Sequence, residues 1–185
     1  MLAWTRQHEA ALATLMETGV FRTNESYIRK KNDAISDYYL DLYDWYVRQA
    51  SCIVSRPQGV TYPIWLFLNE EDRLPCIDGT VVLKLDIPPE LIVLSDSERW
   101  GYRVNYMYVP IDDNDEKQHD RELERYGITN EPALIQKANG NFFPLFKSKI
   151  MGSCPRVFEK PAHGYKAVQG TVWELRREWL VEVIS

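Results

Sequence analysis

Two short apolar runs close this chain, Lys166-Ala-Val-Gln-Gly-Thr-Val-Trp-Glu-Leu175 and Trp179-Leu-Val-Glu-Val-Ile184, with the charged Arg176-Arg-Glu between them. Chain ends fray unless something ties them down. Runs this rich in Val, Ile and Trp suit a pleated, half-buried surface. The spacing therefore predicts that the tail ends inside a sheet, with Gln169 and Glu174 as the polar pair embedded in it.

The rest of the chain supplies partners for such a sheet. Leu2 to Thr5 reads as a first strand, with Thr5 placed to cap a helix carrying Ala11, Leu12, Leu15 and Met16 on one face and ending at Gly19. Val20 to Ile28 reads as a loop. A second helix starts at Asp33 or Ser36, and Tyr39, Leu42, Tyr43 and Tyr46 form its apolar stripe, with Tyr38 and Trp45 beside it. Tyr62 to Leu68 is apolar on both faces, the pattern of a strand covered on both sides. Asn69 to Arg73 is a polar loop and Asp78-Gly79 a tight turn. Thr80 to Ile87 and Leu91 to Leu94 follow as further strands.

Ser95-Asp96-Ser97-Glu98 carries the capping-box pattern, with Ser95 as the cap of a helix bearing Trp100, Val104 and Met107. The acids of Asp112 to Glu116 open a mixed-charge helix that reaches Tyr126 and stops at Gly127. Glu131 to Lys137 and Asn141 to Ile150 read as short helical pieces joined at Asn139-Gly140. The order of elements predicts a single α+β domain over residues 1–185 with a central mixed or antiparallel sheet.

Net charge is −5, which disfavours a broad footprint for nucleic acid; Arg29-Lys30-Lys31 with Lys147 and Lys149 are the basic clusters. The three cysteines are far apart and share no metal-ligand spacing with His8, His119 or His163, a pattern that fits a reducing cytoplasm. No apolar run reaches membrane-spanning length. There is no phosphate-cradling G-x-x-x-x-G-K or G-x-G-x-x-G, no G-x-S-x-G and no H-E-x-x-H. Of the histidines, His163 lies in a loop before the tail, His119 is expected on the surface of the charged helix, and His8 on the polar side of the first helix. Asp86, Asp96, Glu98 and Glu174 are the carboxylates in or beside strands, and Asp96 and Glu98 have a structural role as helix-start residues. Eleven Tyr and six Trp are a surplus that suits either an aromatic core or a ligand pocket.

Trp4-Thr5-x-Gln7, Tyr43-Asp44-Trp45, Tyr62-Pro63-Ile64-Trp65, Leu94-Ser95-Asp96 followed by Trp100, and Val168-Gln169-x-Thr171-Val172-Trp173-Glu174 occur in this order. Together they resemble a bacterial domain of unknown function family, number 3841, to which no activity is attached. A second resemblance is to the ADP-ribosyltransferase-like fold. It is carried by Leu2-Ala-Trp-Thr-Arg6, the helix to Gly19, Tyr62 to Leu68, and Val168-Gln-Gly-Thr-Val172. That resemblance implies NAD as cofactor, with Arg6, Tyr62 and Gln169 as candidate cofactor-binding residues and Glu174 as the candidate catalytic acid. The chain departs from the pattern at Trp4, near where a His is expected, and at Thr171, where the catalytic Glu falls when Gln169 is aligned. Glu174 is three residues further on, which in a continuous strand is the opposite face from Thr171.

Two functions follow as expectations. One is an NAD-type nucleotide site, active or degenerate. The other is a non-enzymatic interaction module that uses the aromatic helix Tyr38 to Tyr46, or the acidic segment Asp112 to Glu124 against a basic protein partner.

Overall fold

The computed structural model describes residues 1–136, 142–160 and 167–185. Its elements run β1 (Leu2–His8), α1 (Glu9–Thr18), β2 (Val20–Phe21), α2 (Glu25–Asn32), α3 (Ser36–Ala50), β3 (Ile64–Phe67), β4 (Thr80–Asp86), β5 (Val93–Asp96), α4 (Ser97–Val104), α5 (Asp113–Arg125), α6 (Ala133–Gln136), α7 (Pro144–Ser153), β6 (Val168–Val172), β7 (Leu175–Arg176) and β8 (Leu180–Ile184). Six strands form one sheet in the order β5-β6-β3-β1-β4-β8, and β2 pairs with β7 in a small second sheet. The pairings β6–β3, β3–β1, β1–β4 and β4–β8 are antiparallel. The fold is α+β, and the tail does enter the sheet, as β6 and β8.

Contacts divide the chain into two compact units, one of Met1–Leu94 with Gln169–Ser185 and one of Ser95–Val168. In the first, the sheet face bearing Ala3, Leu66, Leu83, Leu85 and Val172 packs against Ala11 and Leu15 of α1. Gly170 belongs to this face. A Cβ there would sit 3.0 Å from Ile92 Cγ2 and 3.1 Å from Leu68 Cδ2, so the close approach of these side chains needs a residue without one. At Gly19 the chain takes φ 83° to end α1, and the Gly19 N–H bonds the Leu15 carbonyl.

The second unit is mostly helical, with a small apolar cluster of Tyr108, Leu134, Phe146 and Ile150. Its two ends meet: the Ser97 N–H donates to the Ala167 carbonyl at 2.8 Å.

Several local expectations change. β1 runs three residues past Thr5, so the cap of α1 is His8, whose Nδ1 accepts from the Ala10 N–H. Thr5 instead donates its hydroxyl to the Trp65 carbonyl. The Val20–Ile28 segment is not a loop but forms β2 and the start of α2, with Asn24 accepting from the Ser26 N–H. Asp96, rather than Ser95, caps α4, accepting from the Glu98 and Arg99 N–H groups. The buried residues of α4 are Arg99 and Arg103, while Trp100 and Val104 are half-buried and Met107 lies beyond the helix. Arg99 donates to the carbonyls of Ile111, Arg156 and Glu159, which explains how a charged residue is accommodated there. His163 and Asn139-Gly140 lie outside the described residues.

Candidate functional site

Alternation along β1 puts Ala3 and Thr5 on the α1 side and Trp4 and Arg6 on the other. The registers Trp4↔Phe67 and Phe67↔Gln169 align these three residues in one row across β1, β3 and β6. One row along, α3 covers the sheet. The Tyr46 ring lies 4.8 Å from that of Trp65, and its hydroxyl is 3.0 Å from Thr171 Oγ1. Tyr43 lies 6.1 Å from Trp65 and 6.2 Å from Tyr62. Trp45 and Tyr46 are buried and Tyr38, Tyr39 and Tyr43 half-buried, so the aromatic stripe of α3 is packed against the sheet rather than displayed.

The Trp4 row differs from the row under α3 in one respect. Trp4 is 6% exposed and its indole Nε1 is buried without an acceptor; Gln169 Nε2 is buried in the same condition. A buried donor left unmade costs about 1–3 kcal/mol, so two of them in one row are the least settled polar groups of this unit. Lys84 Nζ stands 5.8 Å from the centre of the Trp4 ring.

The four residues singled out from sequence fall in three environments. Arg6 shares the face of Trp4 and Gln169, and its Nη1 donates to the Pro75 carbonyl at 3.0 Å. Tyr62 is buried just before β3, and burial together with the Asp44 carboxylate pushes its phenol up to about 12. Gln169 opens the described part of the tail in this unit. Glu174 stands apart, off the strand in the link between β6 and β7. It is 6% exposed; Arg22 Nε donates to its Oε2 at 2.9 Å and Arg176 Nε to its Oε1 at 3.0 Å. The register Phe21↔Leu175, continued one step beyond the strands, places Arg22 opposite Glu174.

A separate polar network lies in the second unit. His119, expected on the surface, is 3% exposed, because Glu131 comes back over α5 to meet it. Glu131 Oε1 is 2.9 Å from His119 Nε2 and accepts the Tyr108 N–H at 2.8 Å. The Tyr108 ring stacks on the imidazole at 4.2 Å, and its hydroxyl donates to Asp115, which also accepts from Arg156. Burial opposes ionisation of Asp115, but the Ile111 N–H, the Tyr108 hydroxyl and the nearby Arg156 outweigh it and hold the carboxyl below its usual range. Lys149 does the same for Glu122. No group of three or more His, Cys, Asp or Glu that could hold a metal ion occurs among the described residues, and no helix among them is long and apolar enough to cross a membrane.

The family model Domain of unknown function (DUF3841) matches residues 2–181, nearly the whole chain. The chain belongs to DUF3841. No curated protein and no solved structure matches it. In this DUF3841 chain the matched span includes Trp4, Arg6, Tyr62, Gln169 and Glu174, together with Arg22 and His119, which sequence reasoning did not select. Arg22 has no signal of its own, since its partner is 152 residues away.

Proposed function

We propose that the unit of Met1–Leu94 and Gln169–Ser185 is a nucleotide-binding module of the ADP-ribosyltransferase-like kind, with an NAD-type ligand and altered catalytic equipment. The observation that carries this reading is the Trp4–Phe67–Gln169 row, where two buried donors lack acceptors on the face that also holds Arg6. A ligand bearing a carboxamide or ring acceptor would complete both. The half-buried rings of Tyr43 and Trp65, with Tyr62 behind them, give the same face an aromatic character suited to a planar group. In this reading Glu174 acts on Arg22 and Arg176 rather than on the ligand, and Thr171 is engaged by Tyr46, so neither supplies an acid to the reaction.

The test is calorimetric titration of NAD into the wild-type protein and into Trp4→Phe and Gln169→Leu. Each variant removes one donor while keeping the bulk of the side chain. Loss of one hydrogen bond worth about 1 kcal/mol weakens binding roughly fivefold. Absence of NAD binding by the wild type, or undiminished wild-type affinity in both variants, would overturn the reading.

A non-enzymatic interaction role is supported by a different region. Phe142 and Leu145 are 79% and 83% exposed, and the first turn of α5 carries the exposed Asp113 beside the half-buried Asp115 and Glu116. A basic protein partner would suit that acidic turn. Chemical crosslinking to a basic partner that survives Asp113→Asn/Glu116→Gln would remove the electrostatic basis of this second reading.

A further inference from the structure

Glu174 has one negative charge and two guanidinium groups on it. Arg22 approaches Oε2 through Nε at 2.9 Å and Nη2 at 2.8 Å, and Arg176 approaches Oε1 through Nε and Nη2, both at 3.0 Å. Each arginine therefore turns one edge of its fork inward. A guanidinium has five N–H donors; among the described residues the Nη1 of Arg22 meets no acceptor, and that of Arg176 meets only Glu178. The side chains are arranged accordingly: Glu174 is 7% exposed, Arg22 45% and Arg176 46%.

Arg22, Arg176 and Arg177 set against Glu174 and Glu178 leave an excess of one positive charge here. The remaining acid, Glu178, is 71% exposed and sits 3.8 Å from Arg176 Nη1. Such an exposed, distant pair is a weak competitor for an incoming anion. Two further contacts hold the clamp rigid: the Arg176 guanidinium lies 5.4 Å over the Trp179 ring, and the neighbouring Arg177 donates to the Met16 carbonyl. Arg176, Trp173 and Trp179, with Ser55, also line a small cleft at this spot.

We infer that Arg22 and Arg176 form an oxyanion site, aligned by Glu174, that takes the phosphate groups of a small diphosphate. Paired, planar forks held in fixed orientation match phosphate oxygens. Glu174 is a positioning residue in this arrangement: it neutralises one of two like charges that would otherwise repel, and it fixes which edge of each faces outward. The source of the diphosphate is either the free inorganic ion or a nucleotide.

The probe is inorganic pyrophosphate, titrated by calorimetry at low ionic strength into wild type, Arg22→Lys, Arg176→Lys and, as a control, Arg125→Lys on α5. Lysine keeps a cation opposite Glu174, so the buried acid stays neutralised and the variants fold. The expected result is saturable binding that each clamp variant weakens roughly tenfold, equivalent to about 1.4 kcal/mol, and that the control leaves as in wild type. Nuclear magnetic resonance shifts of the Arg22 and Arg176 guanidinium signals would accompany it. ADP binding tighter than pyrophosphate assigns the nucleotide source, and equal affinity assigns the free ion. No saturable binding, or binding that both lysine variants retain in full, overturns the site. The outcome is separable from that of the NAD reading, because pyrophosphate has no ring or carboxamide to offer Trp4 and Gln169.

Discussion

The two units bury charge by opposite means. In the sheet unit, a dense apolar core of β-strand side chains closes over α1, and a deeply buried acid, Glu174, sits at its margin between two cations. In the helical unit the apolar cluster is small, and the interior is completed by His119, Glu131, Ser153, Arg99 and Arg103. The first kind of interior draws its stability from area removed from water, which is non-directional. The second depends on each polar group finding its partner, and a missing partner there costs the full desolvation of the one left behind. The lesson is that the sheet unit should yield gradually to changes of volume, and the helical unit abruptly to changes of hydrogen bonding.

The largest effect expected is in the sheet. Leu83 is fully buried in the core, and Leu83→Ala should lower stability by about 3–5 kcal/mol in urea unfolding. A loss below about 1 kcal/mol would mean that the apolar core does not carry this unit. Next comes Glu131→Ala, which strips the acceptor from both the Tyr108 N–H and His119. It should cost about 3 kcal/mol, with faster amide exchange in α5 and α6 and unchanged exchange in β1 and β4. Equal acceleration in both units would erase the contrast between them. Gly170→Ala, which presses a methyl group against Ile92 and Leu68, should cost about 1–3 kcal/mol by overpacking.

The smallest effect is one of pH. The Asp115 carboxyl lies below its ordinary value of 3.8 in the folded chain. Its contribution is therefore complete above the unfolded value and is lost as pH falls through the folded one. A drop in the stability read from the Tyr108 signal below about pH 4, with Asp115→Asn already less stable at neutral pH and without that drop, would place the acid-sensitive element in the helical unit. A sheet signal that disappears first would reverse the comparison.

The sheet was legible because its strands carry their own signal: the apolar runs at Tyr62 to Leu68, Thr80 to Ile87 and the tail differ in composition from what flanks them. Helix starts were legible only to within a few residues. Strand β1 continues through Arg6 and Gln7, polar residues whose side chains find partners in Pro75 and Thr5, and that moved the cap from Thr5 to His8. At Ser95-Asp96 two residues that both cap well stand side by side, and because the strand runs through to Asp96 and α4 starts at Ser97, the cap position falls on Asp96. His119 looks like any residue of a charged helix, since the Glu131, Tyr108 and Phe146 that surround it come from other segments. Glu174 was visible as a carboxylate, but its two arginines were not, because one is reached only through the β2–β7 pairing.

The hydrogen bond between Ser97 and Ala167 makes residues 97–167 a closed detour, leaving and rejoining the chain at one place. A detour of that kind can lengthen, shrink or be exchanged without asking β5 and β6 to move. Joining Asp96 to Val168 through a short glycine bridge turns the sheet unit into a separate object of study, and the excised segment, its ends already adjacent, is suited to cyclisation or to transplantation into a surface turn of another protein.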